Sequence, residues 1–135
     1  MIGIVIVTHN GLAQQMAEAV QLIVGAQQRF LTVGIGPDDD MEQRKREIAE
    51  SIKQTDAGKG VVLVTDMFGG TPCNLALTFL KKGKVEVLAG ANLPSLIKLV
   101  SLREAKPLDE AVKAAIESGR KYMRAGSAEL ADKKP

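Results

Sequence analysis

The sequence predicts an α/β fold: a doubly wound, mostly parallel sheet of order 2-1-3-4 with helices on both faces. Two observations carry this. Four short segments rich in β-branched or aliphatic residues recur along the chain, and stretches with helical spacing lie between them. Two of those segments, Ile2–Val7 and Val61–Val64, are continuous apolar runs rather than alternating ones. A strand of that kind is covered on both faces, which makes these two the central strands of a parallel sheet between helix layers.

The strands are expected over Ile2–Thr8, Phe30–Ile35, Gly60–Asp66 and Val85–Ala89. Leu12, Met16, Val20 and Val24 recur at helical spacing over 11–24, and Ile48 and Ile52 mark a charged helix over 41–54. Asp38, Asp39 and Asp40 put negative charge at the start of that second helix, where the macrodipole favours it. Thr71 and Pro72 supply an N-cap hydroxyl and a first-turn proline for a third helix running to Lys82, where Lys81-Lys82-Gly83 marks its exit. A short helix follows Pro94, and a longer one runs from Pro107 to Arg124. Residues 127–135 are small or charged without apolar periodicity, so the domain is assigned to 1–126 and the remainder to a flexible tail.

Composition narrows the function. The 135 residues carry 18 Lys+Arg against 16 Asp+Glu, and aromatic residues make up 3%, which argues against a basic footprint or stacking platform for nucleic acid. The single Cys73 forms no internal disulfide, and at this length a hydrophobic core suffices without one. The apolar N-terminal run is far shorter than the roughly 20 residues of a membrane span, so the expected location is the cytoplasm. There is no Walker A motif, no Gly-x-Gly-x-x-Gly after a strand and no Cys/His cluster for zinc, so no cofactor or metal is expected. Gly34-Ile35-Gly36-Pro37 does not qualify as a phosphate loop, because proline and three aspartates follow where that loop should be.

In an open parallel sheet, ligands bind beyond the carboxyl ends of the strands where the order reverses. For order 2-1-3-4 that point lies between the first and third strands, whose ends carry Thr8-His9 and Thr65-Asp66. A carboxylate beside an imidazole accepts one ring N–H, fixes the tautomer and leaves the other nitrogen free as a nucleophile. Read separately, His9 could simply end a strand and Asp66 cap a turn; the shared switch point favours the pair. The third strand leads into Met67-Phe68-Gly69-Gly70-Thr71-Pro72-Cys73-Asn74, a glycine pair ahead of a helix N-terminus, whose free N–H groups suit an anion. The Thr71 hydroxyl could donate to a phosphoryl oxygen, and Asn10-Gly11 could form a second such corner. Cys73 is read as a small packed residue without a catalytic role. Asn92 either lines the crevice or caps the turn after the fourth strand.

These residues resemble a known family. The runs Ile4-Val5-Ile6-Val7-Thr8-His9-Asn10-Gly11, Asp66 to Asn74 and Ala89-Gly90-Ala91-Asn92-Leu93-Pro94 are similar to the IIA domain of the mannose/fructose/sorbose family of the bacterial phosphoenolpyruvate-dependent sugar phosphotransferase system. The resemblance covers the chain to about Arg124 and implies that His9 and Asp66 are the catalytic pair. His9 would be phosphorylated by phospho-HPr and pass the group to a IIB protein, expected to be a separate chain, for sugar uptake or regulation. Thr8, Asn10, Gly11, Phe68, Gly69, Gly70 and Thr71 would border the phosphoryl group. The resemblance further implies a homodimer with a swapped C-terminal antiparallel strand near Tyr122–Ala125, and association with membrane IIC/IID components without the chain itself being embedded. Asn10 is a departure, since many members follow the histidine directly with glycine. A dihydroxyacetone-kinase phosphoryl-transfer subunit and a regulatory or anion-binding module are the alternatives. A receiver phosphorylated on Asp66 is disfavoured, because Thr8-His9 stands where an acidic pair would hold Mg²⁺.

Overall fold

The structure, a computed structural model, describes residues 1–131. Four strands, β1 (Gly3–His9), β2 (Phe30–Ile35), β3 (Val61–Thr65) and β4 (Val85–Ala89), form a sheet of order β2-β1-β3-β4 in which every pairing is parallel. The helices are α1 (Leu12–Val24), α2 (Met41–Thr55), α3 (Gly70–Leu77), α4 (Leu93–Leu102), α5 (Leu108–Lys121) and α6 (Gly126–Ala131).

Alternation along the central strands divides the core. Ile4 and Ile6 of β1, with Val62 and Val64 of β3, face Ala13, Ala17 and Val20 of α1, Leu96 and Leu99 of α4 and Ala111 and Ala115 of α5. Val5, Val7 and Leu63 face the other way, against Ile48 of α2 and Ala76 of α3. Both faces of β1 and β3 are therefore buried, which is why their sequences are continuously apolar.

Several element ends differ from expectation. β1 extends one residue further and makes His9 its last residue, while Asp66 lies just beyond β3. α3 is capped by Gly69 rather than Thr71, and it ends at Leu77 rather than Lys82. The chain tightens there into shorter-range bonds: the N–H groups of Thr78, Phe79 and Leu80 donate to Leu75, Ala76 and Leu77, and the Thr78 hydroxyl donates back to the Leu75 carbonyl. α5 stops at Lys121 instead of Arg124. Tyr122–Ala125 links α5 to α6 and does not pair with this chain's own four-stranded sheet; the C-terminal strand implied by resemblance would pair across two subunits. Residues 127–131 of the expected tail lie, with Gly126, in the short helix α6, which has no buried residue; the rest of that tail, 132–135, lies outside the described residues.

Candidate active site

The parallel topology delivers the ends of β1 and β3 side by side, and with them His9 and Asp66. Asp66 Oδ2 accepts two hydrogen bonds from His9, one from the backbone N–H at 3.1 Å and one from ring Nδ1 at 2.9 Å. An ionised carboxylate only accepts, so this partner assigns the ring proton to Nδ1 and leaves Nε2 unprotonated in the neutral imidazole. The His9 side chain is 46% exposed against 12% for Asp66, so the imidazole is presented to solvent while its carboxylate is set behind it. Burial pushes the Asp66 carboxyl up, but the bonds from the His9 ring and N–H, and from its own backbone, outweigh that and hold it below the ordinary value of 3.8. Its second oxygen, Oδ1, is buried without a partner.

The glycine pair brings the backbone close to the imidazole. Gly69 and Gly70 have φ of +90° and +81°, and a Cβ on Gly70 would stand 3.2 Å from His9 Cε1 and 3.3 Å from Nε2. Only glycine combines that backbone conformation with so close an approach to the ring. With no side chain capping α3, the backbone N–H groups of its first turn are free to meet an anion beside Nε2.

Next to His9 lies a cleft of about 310 Å³, with Asn10, Thr71 and Pro72 among its walls on one side and Ile35, Gly36, Pro37 and Met41 on the other. The sequence points to Asn10 and Thr71; the second wall, from the end of β2 to the start of α2, includes Gly36-Pro37, which the sequence sets aside because it does not qualify as a phosphate loop. Gly11 and Gly69 are the N-caps of α1 and α3, and in the loop between β3 and α3 Phe68 is 76% exposed and Met67 half-exposed. Thr8 departs from its expected place beside a phosphoryl group: it is fully buried, and its hydroxyl accepts the Ala13 N–H at 2.7 Å at the start of α1. Asn92 caps rather than lines, forming a capping box with Ser95 and donating to the Gly119 carbonyl at 3.0 Å, which ties α4 to α5. Cys73 is buried and free.

Asn10 has φ of +48°, the left-handed region in which glycine is at ease and asparagine is among the more tolerant side chains. Its carbonyl lies over Gly34 of β2, where a Cβ would come within 2.3 Å.

Larger cavities exist elsewhere. One of about 720 Å³ lies at the opposite end of the sheet among Lys59, Lys82, Lys106, Glu86, Glu104 and Asp109, and its mixed charges accompany no nucleophile. No group of three or more potential metal ligands and no helix long and apolar enough to cross a membrane occurs among the described residues.

An all-parallel sheet of order 2-1-3-4 with a carboxylate-bound histidine at its switch point defines a class, and comparison with known proteins gives it a name. The family described as "PTS system fructose IIA component" matches residues 3–116, and the chain belongs to that family. Over 134 residues it is 31% identical to the mannose-specific EIIAB component of Escherichia coli K12, covering 98% of this chain and 42% of that protein, so it spans less than half of that relative. It is 28% identical over 105 residues to the fructose-specific EIIA component of Bacillus subtilis, covering 77% of this chain and 72% of that one. The crystal structure of phosphotransferase system component EIIA from Streptococcus agalactiae shares the fold, with a TM-score of 0.84, 23% identity and coverage of 95% of this chain and 99% of that one.

Proposed function

We propose that this protein is a phosphoryl carrier of the sugar phosphotransferase system that accepts a phosphoryl group on His9 Nε2 and hands it to a IIB acceptor. The observation that carries the reading is the division of labour on one imidazole: Nδ1 is bonded to Asp66, and Nε2 is left beside Gly70 at the mouth of an uncapped helix. The lone pair of Nε2 attacks the phosphorus of the donor's phosphohistidine, phospho-HPr. The donor's N–P bond breaks, and its imidazole leaves with the electron pair. Nδ1 keeps its proton, so the positive character that develops on the ring lies against the Asp66 carboxylate. Transfer between histidines asks for positioning and charge stabilisation rather than covalent machinery, and the α3 N-terminus with the Thr71 hydroxyl would supply both. Asn10, Gly11 and Gly69 shape the turns around the acceptor, and Phe68 and Met67 form an apolar rim against which a carrier protein can seat. Thr8 positions the loop rather than binding the group. A homodimer and a cytoplasmic location complete this reading.

Incubation with phosphoenolpyruvate, enzyme I and HPr, followed by intact mass measurement, tests it. Wild type should gain one acid-labile phosphoryl group and His9→Ala none. A folded wild type that stays unmodified beside an active HPr control would overturn the reading.

A further inference from the structure

We infer that Asp39 is a positioning residue for the phosphoryl cleft, an inference that rests on the function proposed above. The wall facing Thr71 and Pro72 consists of Ile35, Gly36, Pro37 and Met41, and a loop at the end of an edge strand has few neighbours to hold it still. Asp39 does so from behind. Its Oδ2 accepts the Gly36 N–H at 2.7 Å, and its own N–H donates to the Gly36 carbonyl at 3.3 Å, closing residues 36–39 into a ring. The same oxygen accepts Arg44 Nε–H at 2.9 Å, and Arg44 in turn pairs with Glu47 on the next turn of α2. Gly36 allows this closeness, since a Cβ there would already lie 3.3 Å from Asp39 Oδ1.

The wall is thus fastened to α2 through one carboxylate. The bond from Gly36, with that from Arg44, also holds the Asp39 carboxyl below its ordinary range, which keeps it ionised wherever the carrier works. Arg44 matters for a second reason. An unpaired carboxylate behind the cleft would repel an incoming phosphoryl group, and the guanidinium offsets that charge. The three aspartates are therefore not equivalent: Asp40 accepts the Glu42 N–H and caps α2, while Asp39 turns back to the cleft.

Misplacement of a reacting group by about 1 Å costs on the order of 100-fold in rate, so a loosened wall should show in the transfer step. The test compares Asp39→Ala and Asp39→Asn for His9 phosphorylation by phospho-HPr across donor concentrations, with thermal unfolding of each. Asp39→Ala is expected to lose about tenfold in maximal rate, with a change of less than about twofold in the half-saturating donor concentration. Asp39→Asn still offers an oxygen to the Gly36 N–H and should recover most of that rate. Wild-type maximal rate in a folded Asp39→Ala, or equal loss in both variants, would overturn the inference. Absence of phosphorylation in wild type would instead overturn the function on which it rests. If Asp39→Ala does not fold, Arg44→Met removes the tie to α2 alone; a drop of about threefold is then expected, and an unchanged rate counts against the inference.

Discussion

Asp66 Oδ2 holds both the backbone and the ring of His9, so one atom fixes where the imidazole sits and which nitrogen faces outward. Because those bonds favour the ionised form, the folded-state value lies below 3.8, and the stabilisation they bring is present above that value and lost as pH falls through the folded one. Urea unfolding of wild type and Asp66→Asn between about pH 5 and pH 2 checks this: the wild-type advantage should shrink across the acid end, and an advantage constant down to pH 2 would contradict it. The His9–Asp66 pairing was legible in the sequence, because strand order alone brings two strand ends together. The burial of Thr8 and the left-handed backbone of Asn10 were not, since both depend on how α1 leaves β1 at an angle no periodicity records.

At the scale of elements, β2 does more than complete the sheet. Gly34 pairs with Thr8 in register, and its missing side chain makes room for the Asn10 carbonyl that follows the nucleophile. A methyl group there would stand 2.3 Å from that oxygen, so either β2 or the His9 loop must shift. Gly34→Ala should therefore cost about 1–3 kcal/mol in denaturant unfolding and also slow His9 phosphorylation. Loss of stability with an unchanged transfer rate would place the shift wholly in β2. Sequence pattern located β2 well, because Phe30–Ile35 is a compact run between helical stretches, yet it could not mark Gly34 as crowded by a residue 24 positions earlier. α3 shows the converse failure. Its start signal was real but misplaced by two residues, because a glycine with positive φ and not a hydroxyl forms the cap, and its end was overrun because apolar Phe79 and Leu80 continue the helical spacing past the bonds that close it.

Across the whole molecule, the site at one end of the sheet is balanced by a buried cation at the other. Arg103, 1% exposed, follows α4 and donates from Nε to the Ile2 carbonyl at 3.0 Å, from Nη1 to Gln27 Oε1 at 3.1 Å, and from Nη2 to the Gln28 and Arg29 carbonyls at 2.8 and 2.7 Å. Burial draws its pKa down, yet a guanidinium stays charged, and its partners are neutral oxygens throughout. It thereby joins three segments distant in sequence: the entry to β1, the turn before β2 and the end of α4. In the sequence, nothing local to Arg103 reveals that the three segments converge. Arg103→Leu would leave buried carbonyls unpaired and should cost about 3–5 kcal/mol in denaturant unfolding. Because the clasp sits at the amino ends of the strands, the folded variant should still accept a phosphoryl group on His9 at close to the wild-type rate at low temperature. A variant as stable as wild type would show that the surrounding core, rather than this guanidinium, holds the three segments together.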